Sequence, residues 1–288
     1  MTDDKTAMVW EWSSTYDPNC KSGPGAGISS AKLRYSPYYK RDVIIACSSN
    51  GWWGVIDYQA RKLLCEGKLI SGPHSVEMLP NGDLVVGVSN NPMGVYYIPL
   101  SVGIFEPVHS IESHSCHGVC WDPTRECLWV LDYDEVYAVT VENMGTAQAK
   151  LVRDESRVCT FKVGGKDYHD GHALSPIAGS PGKYWVSTVN YLWMFDSETM
   201  EMTREFDRYN TLNRRAIKGI VSFEDGTVVE TVHNLGGGAV NFYACDGFRV
   251  ISPTVGQNGQ TVDVVTNAIS PFMGRQFYKI QSFTKNYQ

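Results

Sequence analysis

The chain has 288 residues, with 31 acidic against 25 basic side chains and a formal net charge of −6. That balance, with no basic aromatic stripe, excludes a polybasic nucleic-acid binder, and 43% hydrophobic against 19% charged residues excludes a disordered chain. No run approaches the roughly 18 apolar residues of a membrane span, and residues 1–288 suit one all-β domain.

Met1 to Trp12 holds no apolar leader core, and the eight cysteines lack a CxxC pattern. Cys47, Cys65, Cys120, Cys127 and Cys159 fall in or beside strand-like apolar runs, where a free thiol acts as a small hydrophobe. Reduced thiols and a cytoplasmic location are the expectation. Ala7-Met8-Val9-Trp10-Glu11-Trp12 alternates and predicts a strand, and Ser13 to Ser30 predicts a loop.

A unit of two strands with a turn between them then recurs. Ala31 to Pro37 leads into Val43 to Cys47, and Pro73-His74-Ser75-Val76-Glu77-Met78 leads through Pro80-Asn81-Gly82 into Leu84 to Val88. Pro-Asn-Gly is turn chemistry, since Pro presets one φ and Asn and Gly tolerate positive φ. His117 to Asp122 leads into Leu128 to Leu131, and His172 to Pro176 leads into Tyr184 to Val189. Lys218 to Phe223 leads into Val228 to Val232, and Asn267 to Phe272 starts the last copy. The markers 31, 74, 117, 172, 218 and 267 are spaced by about 43 to 55 residues, the period of a four-stranded propeller blade. Six copies predict a six-bladed β-propeller. Its closing blade joins the N-terminal strand to a C-terminal strand at Gln276 to Phe283, which removes an exposed edge. The longer third step holds Glu142 to Arg157, a polar connection suited to a short helix or a protruding hairpin.

The first strand of each blade lines the channel, so equivalent positions form a ring. His74, His117 and His172 occupy it in three consecutive blades, with Lys218, Asn267 and Ala31 completing it. Three imidazoles at one point suit a divalent metal, Mn, Zn or Fe, with open positions for substrate. Without metal, clustered imidazoles act as general base and acid. The loop between strands two and three shares the same rim and carries Asn50, Asn90, Asp132, Asn190, His233 and Asn234. Tyr168, His169 and Asp170 precede His172, and Arg214 and Arg215 precede Lys218. The arginines and Lys218 suit a carboxylate or phosphate. His109 and His114 fall out of register and read as surface residues. Gly236-Gly237-Gly238 reads as a hairpin tip, and Trp53, Trp129, Trp185 and Trp193 as blade packing.

Pro73 to Gly82 and His117 to Asp122 resemble segments of uncharacterised bacterial six-bladed propeller proteins. More distantly, the chain is similar to propeller lyases such as oligogalacturonate lyase and virginiamycin B lyase. That resemblance implies channel-face histidines, here His74, His117 and His172, serving as bases or metal ligands. The expectation is an enzyme, most plausibly a lyase, acting on a small anionic or polyhydroxylated substrate. Its base would be a ring histidine, with Lys218 and His233 as further candidates. A metal-independent isomerase or cyclase and a non-catalytic interaction scaffold are the alternatives. Oligomeric state is left open.

Overall fold

A computed structural model describes residues 10–25, 27–70, 72–90, 93–163, 166–167, 169–189, 191–204, 217–232, 247–255 and 261–269. Five four-stranded antiparallel sheets follow one another along these residues. The first comprises β1 (Ser30–Ser36), β2 (Arg41–Cys47), β3 (Trp52–Asp57) and β4 (Lys62–Lys68). The second comprises β5 (Pro73–Met78), β6 (Leu84–Val88), β7 (Gly94–Ile98) and β8 (His109–Glu112). The third comprises β9 (Gly118–Asp122), β10 (Cys127–Leu131), β11 (Glu135–Glu142) and β12 (Lys150–Thr160). A small hairpin, β13 (Lys162–Val163) and β14 (Lys166–Asp167), precedes the fourth sheet. That sheet comprises β15 (Gly171–Pro176), β16 (Lys183–Thr188), β17 (Leu192–Asp196) and β18 (Glu201–Thr203). The fifth comprises β19 (Ile220–Ser222), β20 (Val228–Val232), β21 (Gly247–Val255) and β22 (Thr261–Ile269).

Each sheet is a meander in chain order, which is the plan of a propeller blade. The first strands β1, β5, β9, β15 and β19 pack one against the next. Strand alternation explains the core between blades, because successive side chains point to opposite faces of a sheet. On β2, Val43, Ile45 and Cys47 join Val76, Met78, Val86 and Val88 of the second blade. Ile44 and Ala46 point the other way, to Trp52 and Leu63. On β10, Leu128 and Val130 face the second blade, while Cys127, Trp129 and Leu131 face the fourth. Trp53, Trp129, Trp185 and Trp193 are fully buried, as blade packing requires. Burying a large apolar side chain stabilises by about 1.5–3 kcal/mol, so these interfaces supply much of the driving force.

The expected sixth blade is corrected to five, counted among the described residues. The last two strands of the fifth sheet explain the difference. β21 and β22 are nine residues each and pair along their whole length, from Gly247–Ile269 to Val255–Thr261. The segment expected to open a sixth copy is thereby the outer strand of the fifth, and Asn267 pairs with Arg249 rather than standing on the channel ring. The predicted closing strand at Gln276 to Phe283 lies outside the described residues. Trp10 and Trp12 belong to no strand. Trp10 stacks on Tyr58 and Trp12 on Trp52, so they cover the outer face of the first blade.

The segment that follows straps the edge strand β4. Asp17 Oδ2 accepts from the Leu63 backbone N–H (2.5 Å) and from the Trp12 indole (2.8 Å). Asn19 donates to the Leu63 carbonyl at 3.0 Å. Glu66 accepts from the backbone N–H groups of Lys21 (2.7 Å) and Ser22 (3.1 Å) and from the Trp52 indole (2.7 Å). Beneath the strap a cavity of about 370 Å³ is lined by Pro18, Asn19, Lys21 and Leu63 to Glu66.

The connection at Glu142 to Arg157 forms the tip and much of the returning strand of the long hairpin β11–β12, one of the two forms expected. Its Gly145 N–H donates to Asp83 Oδ2 and pins the tip to the second blade. The Pro80-Asn81-Gly82 turn forms as predicted, with Gly82 at φ 95°. Cys20, Cys47, Cys65, Cys116, Cys120, Cys127 and Cys159 are free thiols. Among the described residues no helix is long and apolar enough to cross a membrane.

Candidate functional site

Two of the three ring histidines sit on irregularities of the ladder. Pro73 pairs with Val88 and Ser75 with Gly87, so His74 is an extra residue in β5. Gly171 pairs with Thr188 and Ala173 with Ser187, so His172 is an extra residue in β15. A β-bulge leaves its extra residue out of the pairing and re-aims the side chain. His117 reaches the same level by another route. It lies just before β9, and its backbone N–H donates to the Leu131 carbonyl at 3.1 Å.

Glycines let these strands approach closely. A Cβ on Gly118 would lie 2.6 Å from Leu174 Cβ, and one on Gly171 would lie 2.6 Å from the Asp132 carbonyl oxygen. With those positions bare, the rings meet. His74 and His117 have centroids 4.6 Å apart, and His117 and His172 are 5.2 Å apart in an edge-to-face contact. His117, His172 and Lys218 are buried, and His74 is half-buried and marks the open side. The ring positions are buried this deeply because the first strands pack directly on one another.

The hydrogen bonds orient the imidazoles. A carbonyl only accepts, so His74 Nδ1–H donates to the Gly72 carbonyl at 2.8 Å, with Ser89 Oγ 2.6 Å from the same nitrogen. His117 Nδ1–H donates likewise to the Ser115 carbonyl at 3.0 Å. In their neutral form both rings therefore carry the lone pair on Nε2, and a second proton taken up there makes that nitrogen a donor. His172 differs, because its Nε2 lies 2.5 Å from Lys218 Nζ and 3.5 Å from Asp170 Oδ2. One nitrogen thus faces a cation and a carboxyl. It accepts from Lys218 when neutral and donates to Asp170 when protonated. Lys218 is held by its backbone, since its N–H and that of Gly219 both donate to Thr231 Oγ1. Burial pushes the Asp170 carboxyl above its ordinary value, and the charges of Lys218 and His169 offset part of that rise. Asp170 also has φ 68°, a left-handed conformation that costs most non-glycine residues energy and recurs at functional sites.

The other predicted site residues divide. Asp132 is buried, and its carboxylate accepts the backbone N–H groups of His114 (2.9 Å), Ser115 (2.5 Å) and Tyr133 (2.7 Å). That work shapes the loop before His117. Asn50 accepts from the Trp52 backbone N–H at 3.1 Å, which orders the β2–β3 turn. Asn90 packs against Gly72, whose left-handed φ of 68° aims the carbonyl that His74 uses. Tyr168, Asn190, Arg214, Arg215, His233 and Asn234 lie outside the described residues, and Asn267 is placed on β22, away from the ring. His114 is exposed, as expected of a surface residue, whereas His109 is half-buried and accepts the Leu151 backbone N–H at 3.2 Å.

The structure adds residues that register alone does not single out. Tyr133 stacks on His169 with centroids 5.1 Å apart and planes 4° apart, beside Asp170. Three residues beyond His74, about 10 Å along the strand, Glu77 is wholly buried. It accepts from Arg34 Nε (2.7 Å) and Nη2 (2.9 Å) and from Lys32 Nζ (3.0 Å). Lys32 also donates to the Val119 carbonyl at 2.6 Å, so one cation links the first three blades. A charged residue flanked by Val76 and Met78 in an apolar strand is the signal that points to it.

The set does not fit a three-histidine metal centre. Lys218 Nζ, 2.5 Å from His172 Nε2, stands where a metal ion on that nitrogen would sit. Among the described residues no group of three His, Cys, Asp or Glu is placed to hold a metal ion.

Comparisons with known proteins bear on fold and family. The β-propeller domain of Cps50 (Swd1) from Myceliophteria thermophila is similar at TM-score 0.50 and 12% identity, over 84% of this chain and 73% of that one. A chain of the mitotic checkpoint complex is similar at TM-score 0.52 and 7% identity, over 87% of this chain and 67% of that one. At such identities the likeness establishes an all-β propeller and carries no activity across. No curated protein matches the sequence. The profile of a family of unknown function, DUF6528, matches residues 3–234, well over half of the chain, and the protein belongs to that family.

Proposed function

We propose that the channel mouth is the active site of a metal-independent enzyme acting on a small carboxylate-bearing substrate, with elimination as the reaction. The observation that carries this reading is the Lys218–His172 contact at 2.5 Å, continued ring to ring through His117 to His74. A buried cation next to a chain of imidazoles offers the two things elimination beside a carboxylate requires, charge neutralisation and a base. The Lys218 ammonium pairs with the substrate carboxylate and releases the His172 lone pair. His172 takes the proton on the carbon next to that carboxylate, and those electrons form the new C=C bond. The leaving oxygen departs on the far side with a proton from protonated His117. Asp170 then receives the hydrogen bond of the protonated His172.

An isomerase would use the same groups and return the proton to another carbon, so the elimination product distinguishes the two. A scaffold role draws support from Tyr35, Tyr38, Val102 and Phe105, which are exposed. Tyr38 Oη lies 4.0 Å from where a Cβ on Gly103 would stand, next in the chain to Val102.

The test is a panel of sugar acids and hydroxy acids, followed by the ultraviolet absorbance of a newly conjugated carboxylate. Replacing His117 or His172 by Ala should lower turnover by on the order of a hundredfold or more, with the double variant little worse than either single one. Metal chelation should leave the rate unchanged. Equal turnover in native protein and both single variants overturns the reading.

A further inference from the structure

We propose that Lys218 is a nucleophilic amine that forms an imine with a carbonyl compound carrying an acid group. The inference rests on the channel mouth as the site, changes the Lys218 role there from ammonium partner of the carboxylate to amine nucleophile, and narrows the substrate class to oxo acids. Three observations support it. Lys218 is buried, and its backbone is fixed by Thr231 Oγ1, so its Nζ is aimed rather than swinging in solvent. Its Nζ lies 2.5 Å from His172 Nε2, and hydrogen bonding across that gap requires one of the two to hold a lone pair. The imidazoles of His172 and His117 stand in line beside it, so groups able to take a proton from the amine are in place.

The step balances within the cluster. The Lys218 amine attacks the carbonyl carbon, and the C=O π pair moves to oxygen. His172 takes the proton from the attacking nitrogen. The carbinolamine oxygen takes that proton back from His172 and a second from Asp170, whose carboxyl is 3.5 Å from His172 Nε2. Water leaves and the C=N bond forms, so one carbonyl, one amine and the Asp170 proton become one iminium and one water. Nothing is oxidised or reduced. The resulting iminium draws electrons from the neighbouring carbon and makes its proton removable by an imidazole.

The experiment uses the intact wild-type protein with glyoxylate as probe and cyanoborohydride as trap. The trap reduces the imine to a stable carboxymethyl-lysine, located by peptide mass spectrometry. Lys218 should be labelled roughly a hundredfold faster than exposed Lys150, the lower end of what a positioned proton acceptor contributes. A His172→Gln variant, checked for native melting, should lose most of that advantage. Labelling of Lys218 no faster than Lys150, or none at all, overturns the proposal in the wild-type protein without any variant. The two readings fail separately. An unlabelled Lys218 with intact loss of turnover in the alanine variants removes the imine and keeps acid–base elimination. A labelled Lys218 with unaffected turnover in those variants does the reverse.

Discussion

Two polar clusters sit on the same first strands, three residues apart along β5, and they are built on opposite plans. At Glu77 both carboxylate oxygens are taken. Arg34 donates twice and Lys32 once, and Lys32 spends a further proton on the Val119 carbonyl. At His172 one nitrogen is contested by Lys218 and Asp170, and His74, at the other end of the row beyond His117, is half-buried. Burial would raise the Glu77 carboxyl, but the charges of Arg34 and Lys32 outweigh it and hold the group below its ordinary value. Burial at Asp170 is not overcome, and that carboxyl rises. A cluster whose donors and acceptors match holds blades together. A cluster with a surplus of proton positions is suited to moving protons.

The comparison breaks most sharply at Glu77. Glu77→Ala leaves Lys32 and Arg34 buried without their anion, and breaking such a pair costs about 3–5 kcal/mol. Urea midpoints should fall accordingly, and a midpoint within experimental error of wild type would show that the cluster does not hold the blades.

A middle-sized effect is expected at the strap. Asp17→Ala strips the acceptor from the Leu63 N–H and the Trp12 indole. Orphaning such a group costs about 1–3 kcal/mol. Hydrogen exchange at Leu63 should quicken while exchange at Val76, in the second blade, stays slow. Equal protection of Leu63 in the wild-type protein and the variant would count against the strap.

The smallest effect is acid sensitivity at Glu66. Burial would raise this carboxyl, but hydrogen bonds from the Trp52 indole and the Lys21 and Ser22 backbones bring it down to about 2 from 4.5. A depressed carboxylate contributes stability that is present above its unfolded value and lost as pH falls through its folded value. The Glu66 contribution should therefore fade between about pH 4.5 and about pH 2. Glu66→Gln should flatten that part of the stability profile, as read by thermal melts, and an unchanged profile would place acid sensitivity elsewhere.

Much of this was legible from blade period alone. The markers at 31, 74, 117, 172 and 218 fall on or within two residues of β1, β5, β9, β15 and β19, so His74, His117, His172 and Lys218 were found in register. The period failed at Asn267 because the fifth blade spends nine-residue strands on its outer hairpin, and spacing cannot distinguish a long outer strand from a new inner one. What spacing also could not show is the bulging of the ladder at His74 and His172, since a bulge is a pairing property. The opposed demands on His172 Nε2 were hidden for a related reason. They arise from Lys218, 46 positions away, and from a left-handed Asp170, and neither is a periodic feature.

The strap over β4 has a consequence for the protein in company. An outermost strand with bare amide and carbonyl groups is a template on which a second molecule can add its own strand. Here Asp17 and Asn19 occupy the N–H and the C=O of Leu63 with side chains, which pair with the edge but cannot pass the pairing on. Glu66 places a charge on the same border. The N-terminal segment thus acts as a selvedge, closing the middle of the first blade's border at Leu63 to strands from neighbouring molecules in a concentrated solution.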